Sequence, residues 1–319
     1  MPTTDPGPAL LGDEPPRAQQ LRKALRAACP DPGCGAYVLL DGARIAKLWA
    51  ILRELKVEHG CLFRESPNEN LTRVAPFMAR ADFAGDLLLW LAIDDVPLEA
   101  ALFLFTEASP GALYKHLRRF LMVRDTEDAE NYLRFYDPRV LRPFIASSTE
   151  AEKRRFFGPI RRFLAYDAEA SETAGELVLS HWDPPPPAPD TAEVRPPSAT
   201  DMFRLSQQHL TTFERDCMER YDKRCVALLR QRYSYRLGKA SDADIRALLD
   251  EAKQLSPKLG LASGRDVAIT AELLVLGFPS AIRQQIERVA LQDRPRALQL
   301  LRDRLMLQQL EALSPTGQA

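Results

Sequence analysis

No stretch of this 319-residue chain stays apolar for the roughly 18 residues that a membrane-crossing helix requires; the longest candidate, Leu87 to Ile93, is stopped by Asp94 and Asp95. No membrane span is expected. Glycine is sparse as well. None of the 15 glycines falls into a GxGxxG or GxxxxGK(S/T) loop between a strand and a helix, so nucleotide binding has no support. A GxSxG nucleophile turn and an HExxH helix are both missing, and only four histidines are available for acid-base or metal chemistry. The five cysteines, Cys29, Cys34, Cys61, Cys217 and Cys225, match no CxxC pattern. Reduced thiols are expected, and neither a cofactor nor a metal is implied. Charge of one sign is not in excess either: 43 basic against 44 acidic residues give a net charge of -1, which argues against a coat for nucleic acid or an anionic membrane. Met1 to Pro16 has no basic segment followed by an apolar run, so no secretory signal is expected and the chain is placed in the cytoplasm.

What is present is ordinary globular material. The composition is 45% hydrophobic and 27% charged, and the length suits about two domains of ~100–200 residues. Proline marks the clearest boundary. Between Asp183 and Ser198, Pro184, Pro185, Pro186, Pro187, Pro189, Pro196 and Pro197 favour an extended, semi-rigid linker. The expected organisation is a loosely packed or disordered segment over 1–30, a mixed α/β (α+β) domain over 31–170, a proline-rich linker over 171–200 and an all-α lobe over 201–319.

In the first domain, short apolar runs alternate with helical patterns. Tyr37 to Leu40 reads as a buried strand, followed by a helix through Ile45, Leu48, Trp49, Leu52 and Leu55. Cys61 to Phe63 and Ala101 to Phe105 read as further strands, with a helix over Asp82 to Ile93 between them. Ser109-Pro110-Gly111 starts another helix. Tyr132 to Tyr136 reads as a strand, Asp137-Pro138 opens a helix, and Glu152 to Leu164 reads as helical with a break near Gly158. After the linker nothing resembles a strand: Ser206 to Leu237 is one long amphipathic pattern, with Cys217 and Cys225 on one face, and Ser241 and Ser263 start further helices with capping-box spacing.

One set of residues could carry chemistry. His116, with Asp41, Glu107 and Asp137 near strand ends, could form a polar cluster suited to hydrolytic or acid-base catalysis. The competing reading is local: Asp137 caps a helix, Asp41 closes a turn and His116 bonds to backbone. The pairs Arg118-Arg119, Arg154-Arg155 and Arg161-Arg162, interleaved with phenylalanines, suit nucleic acid superficially. Solvated helix faces account for them equally, and with the balanced charge no nucleic-acid partner is expected.

The order of motifs says more than any one of them. Val38-Leu39-Leu40-Asp41-Gly42-Ala43, Ala75-Pro76-Phe77, Leu89-Trp90-Leu91, His116-Leu117-Arg118-Arg119-Phe120, Arg134-Phe135-Tyr136-Asp137-Pro138-Arg139-Val140-Leu141 and Phe157-Gly158-Pro159-Ile160 follow one another over about residues 35 to 166. This series resembles the effector-chaperone (adaptor) family of bacterial type VI secretion. The resemblance implies a non-enzymatic adaptor that binds a cognate secreted effector and helps place it on the valine-glycine-repeat (VgrG) spike. It carries over Asp41, His116, Arg118, Arg119, Arg134, Tyr136, Asp137, Pro138 and Arg139 as motif residues, with Asp41, His116, Asp137 and Pro138 read as structural. Arg118, Arg119, Arg134 and Arg139 could offer guanidinium forks to a partner, with Tyr136, Phe156 and Phe157 supplying contact area. Alternatively, Arg134 and Arg139 pair with Asp41 or Asp137 inside the domain.

Overall fold

A computed structural model describes residues 14–63, 69–93, 96–187, 202–261, 263–277, 284 and 286–313. It shows an N-terminal α/β region built on antiparallel sheets and a C-terminal helical region. The chain divides into two compact units, Met1–Phe213 and Glu214–Ala319.

The first unit contains α1 (Pro16–Ala28), β1 (Gly35–Asp41), α2 (Leu48–Glu54), β2 (His59–Cys61), α3 (Glu69–Val74), β3 (Pro76–Arg80), α4 (Asp86–Leu91), β4 (Ala101–Thr106), α5 (Pro110–Arg118), β5 (Met122–Arg124), β6 (Glu130–Tyr132), α6 (Pro138–Ser147), α7 (Glu150–Phe157), β7 (Ile160–Tyr166), α8 (Ala168–Ala174), β8 (Leu179–Trp182) and β9 (Phe203–Arg204). Six strands form one sheet in the order β2-β3-β1-β4-β7-β8, every neighbouring pair antiparallel. A smaller sheet has the order β6-β5-β9, with β9 parallel to β5.

The large sheet is buried on both faces, which is why β1 and β4 read as continuous apolar runs rather than as alternating ones. Val38, Leu40, Phe103 and Phe105 face a layer that includes Leu21 and Leu25 of α1, Leu48 and Leu52 of α2 and Leu87, Leu88 and Leu91 of α4. Leu39, Leu102 and Leu104 face the other way, onto Leu113, Leu117, Phe144, Phe156 and Phe157. The two-residue period along each strand produces this separation.

Several sequence expectations are corrected. Residues 16–28 are not loose: α1 buries Ala18, Leu21 and Leu25, while 1–13 lie outside the described residues. The linker is shorter than 171–200, since α8 reaches Ala174 and β8 extends the sheet to Trp182; residues 188–201 lie outside the described residues. Tyr132 to Tyr136 is not a strand, because β6 ends at Tyr132 and a turn closed by Asp137 N–H on the Arg134 carbonyl (2.9 Å) follows. The helix expected over Glu152 to Leu164 ends at Phe157: Gly158 takes φ +51° and the chain leaves as β7, which pairs with β4. A strand does follow the linker, because β9 and the start of α9 (Gln207–Arg232) complete the first unit, burying Phe203, Leu205 and His209.

The second unit packs the later part of α9, α10 (Ser234–Leu237), α11 (Asp242–Lys258), α12 (Gly264–Val275) and α13 (Arg294–Leu313) around Leu229, Tyr233, Ile245, Leu249, Leu273 and Leu298. Ser241 with Asp244 and Ser263 with Asp266 form reciprocal capping boxes, as their spacing predicts. The buried Glu272 carboxylate accepts from Arg232 (2.9 Å) and from the Tyr233 hydroxyl (3.1 Å), and Arg302 lies 3.5 Å away. Cys225 is buried here, whereas Cys217 is exposed, so the two do not share one packed face.

α2 is bracketed by two left-handed lysines, Lys47 (φ 59°) at its N-cap and Lys56 (φ 52°) just beyond its end. A residue with a Cβ pays about 1–2 kcal/mol for that backbone.

Candidate functional site

Asp41, Arg134, Asp137, Pro138 and Arg139 gather at a corner where the end of β1 meets the start of α6. Asp137 is the N-cap of α6, with Pro138 in the first turn, where no hydrogen bond is lost. Its Oδ1 accepts from the Arg139 backbone N–H (3.0 Å), and the Arg139 guanidinium folds back onto the same carboxylate through Nε (3.0 Å) and Nη2 (2.6 Å). Burial works to raise the Asp137 pKa, but the hydrogen bonds from Arg139 outweigh it and hold the carboxyl below its usual range.

The second carboxylate, Asp41, is fully buried. Its Oδ1 accepts from the Ala43 N–H (3.0 Å), closing the turn after β1, and its Oδ2 accepts from Arg134 Nη2. This bond ties the 134–137 turn to the sheet. The Arg134 guanidinium carbon also lies 5.9 Å from the centre of the Tyr136 ring, and the Arg134 Nε is buried without a hydrogen-bond partner. The hydroxyls of Tyr132 and Tyr136 are 3.2 Å apart, and burial pushes both phenols up. Arg44 reaches the Glu99 carbonyl (2.6 Å), and its charge is felt at Asp137.

His116 belongs elsewhere. Its Nε2 donates to the Phe156 carbonyl (2.7 Å), and its ring lies 5.2 Å from that of Phe120. Burial lowers its pKa, partly offset by that hydrogen bond. No hydrogen bond joins it to Asp41 or Asp137, and Glu107 pairs with Arg161 (3.0 Å) instead. Among the described residues, no group of three or more His, Cys, Asp or Glu is placed to hold a metal ion.

The expected contact residues divide by exposure. Tyr136, Phe156 and Phe157 lie in the core and offer no surface to a partner. Phe156 is the hub of an aromatic cluster, with ring centres 5.1 Å from Phe120, 4.9 Å from Phe144 and 5.5 Å from Phe163. Arg134 is half-buried on Asp41 and Arg118 half-buried over the Tyr114 ring; Arg119 and Arg139 are exposed. A cavity of about 220 Å³, lined by residues including Tyr37, His59, Arg80 and Tyr114, and a wider groove of about 450 Å³ beside α8 include none of Asp41, His116 or Asp137.

His209 opens the long helical pattern after the linker with no carboxylate-histidine pattern near it in sequence, and in the structure it is fully buried. The Ser206 N–H donates to its Nδ1 (3.0 Å), so the ring hydrogen sits on Nε2 and is given to Ser148 Oγ (3.0 Å). Ser148 in turn donates to the Phe144 carbonyl (2.7 Å), and the imidazole stacks on the Phe144 ring at 5.3 Å. The Ser206 hydroxyl accepts from the His209 N–H (3.4 Å), a capping box with histidine in the glutamate position. The three-residue spacing was visible; the histidine disguised it.

The arrangement is one of internal ties, two carboxylates held by two arginines and two histidines bonded to main chain or serine. No curated protein and no solved structure matches the chain. One family model does match: residues 36–155, from β1 into α7 and including Asp41, His116 and Asp137, correspond to the domain of unknown function DUF4123.

Proposed function

We propose that this chain is a cytoplasmic, non-enzymatic adaptor that binds a cognate type VI secretion effector and helps place it on the VgrG spike. The observation that carries the reading is the ordered motif series, all of whose motifs but the last, Phe157-Gly158-Pro159-Ile160, fall within residues 36–155 matched by the DUF4123 model. The geometry is compatible with binding rather than turnover. Asp41, Asp137 and His116 are each engaged by an internal partner, and none of them lines either cavity. Specificity for an effector then belongs to exposed surface.

The test is co-purification of the tagged full-length chain from its native host, with the retained proteins identified by mass spectrometry. Recovery of one toxin, with or without the spike, is the expected result. A chain that returns alone under conditions where the secretion system is expressed overturns the reading.

A further inference from the structure

The outward side of α2 and the end of α3 form a surface of unusual composition. Trp49 is 45% exposed and Val74 44% exposed, and Ala46 and Ala50 are exposed beside Trp49. α3 packs alongside α2. The approach is made by backbone: the Gly42 N–H donates to the Ala75 carbonyl (3.1 Å), and a Cβ at Gly42 would lie 2.4 Å from that oxygen. Asp41 closes the same turn by accepting from the Ala43 N–H (3.0 Å), so the chain enters α2 from the corner that holds the motif residues.

Lys47 and Lys56 stand at the two ends of α2, Arg53 lies within it and Arg73 precedes Val74 in α3, all exposed. Among the described residues none of the four has a carboxylate partner. Arg53 lies over the Trp49 ring at 4.8 Å. Arginines elsewhere in this unit are commonly paired, Arg22 with Glu14 at 2.8 Å, Arg161 with Glu107 at 3.0 Å and Arg162 with Asp183 at 2.6 Å. α2 itself carries a single carboxylate, Glu54.

The backbone supplies an independent observation. Lys47 and Lys56 are two of the three described non-glycine residues with positive φ. Glycine or asparagine would hold those angles with less strain, yet lysine stands at both ends of α2. Strain retained for the sake of a side chain points to a use for that side chain.

We propose that the α2–α3 face docks an acidic, amphipathic segment of a partner protein. Its apolar side chains rest on Trp49 and Val74, and its carboxylates reach Lys47, Arg53, Lys56 and Arg73. The identity of the partner as an effector rests on the adaptor reading; the acidic, apolar chemistry of the segment does not. Single-stranded nucleic acid also meets cations and stacks on tryptophan. The further exposed apolar residues at these two helices, Val74, Ala46 and Ala50, and the net charge of -1 favour a peptide.

The experiment titrates the full-length chain into two labelled synthetic peptides, one with Glu and Leu at amphipathic helical spacing around a single Phe, the other with every Glu replaced by Lys, and reads fluorescence anisotropy. The acidic peptide is expected to bind at least tenfold tighter than the basic one, and less tightly as salt is raised. Lys47→Glu combined with Arg53→Glu, and separately Trp49→Ala, should each weaken it at least tenfold with an unchanged circular dichroism spectrum. Lys47→Gly gives a second reading, a raised melting temperature with weakened binding. Failure of the acidic peptide to bind, equal affinity for both peptides, unchanged binding in the variants, or tighter binding of a single-stranded DNA oligonucleotide at the same surface would each overturn the proposal. If a toxin co-purifies and the charge-reversed variant retains it at the wild-type level, the adaptor reading stands and this surface falls. If the acidic peptide binds as expected and no toxin co-purifies, the surface stands and the adaptor reading falls.

Discussion

The imidazole of His116 lies so close to Gly158 that a Cβ on the glycine would fall 2.3 Å from the ring's Cε1. Two motifs about forty residues apart in the chain are thus shape-matched, one supplying the ring and the other the missing side chain. Gly158 is doubly constrained, since its φ of +51° also disfavours any L side chain.

Gly158→Ala should therefore destabilise the first unit by about 3 kcal/mol, the sum of backbone strain and overpacking. Urea unfolding at pH 7.5 measures it. His116→Ala in the same chain should recover part of the loss by giving the new methyl room, so the double variant should be more stable than the two single losses add up to. Strict additivity would show that the ring and the glycine are not coupled.

Arg134→Met tests the corner. It strands the fully buried Asp41 carboxylate, and because Arg134 itself is 39% exposed the loss should sit near the low end for a broken buried pair, about 3 kcal/mol. Adding Asp41→Asn should restore much of it, since the stranded charge is then gone. A surface-like effect below about 0.5 kcal/mol for Arg134→Met would mean that water already solvates Asp41.

Acid sensitivity follows from the two histidines. Burial depresses the pKa of both His116 and His209 below 6.5 in the fold. The unfolded chain therefore takes up protons first as pH drops, and stability present above about pH 6.5 is lost as the pH falls through the lower, folded values. Asp137, depressed below 3.8, adds its own loss at still lower pH. Chemical denaturation at pH 7.5 and 5.5 should show the decline, and His209→Gln should shallow it. A flat profile from pH 7.5 to 5.5 would contradict the assignment of both rings as neutral.

The boundary near Phe213 predicts how fragments behave. A chain cut after residue 187 lacks Phe203, Leu205 and His209 and leaves Phe120 and Phe144 partly uncovered, a loss on the scale of about 3–5 kcal/mol for the missing phenylalanine alone. It should bind a hydrophobic dye and be cut rapidly by protease. A fragment carried through residue 213 should do neither. Equal behaviour of the two would place the boundary at the linker after all.

Much of the first unit was legible because it obeys simple periods. β1 and β4 are apolar at every position since both faces are covered, and Ser109 and Asp137 announce their helices by cap chemistry. β7 was misread for a physical reason. Its pairing with β4 slips between Phe105 and Thr106, where the partners jump from Arg162 to Ile160. That bulge brings Ile160 and Phe163 onto the same face at a spacing of three, which imitates a helix. β9 is two residues long, too short to carry any period. The corner's residue types were visible, but which arginine meets which aspartate depends on a turn after Tyr132 that the aromatic run Phe135-Tyr136 disguised as strand. The exposed α2–α3 face was hidden because Trp49 was counted with the buried stripe of its helix, whereas it points outward.

The parallel pairing of β9 with β5 has a consequence for the order in which the molecule can be made. The last pieces of the first unit's core lie beyond the proline segment, so a nascent chain that has already emerged through β7 must wait for the intervening stretch, about 2–8 s at about 5–20 residues per second. Through that interval Phe120 and Phe144 stand partly open. Their closure is a late event, set by the ribosome's pace rather than by diffusion, and it places the proline segment as a spacer between an early scaffold and its own final piece.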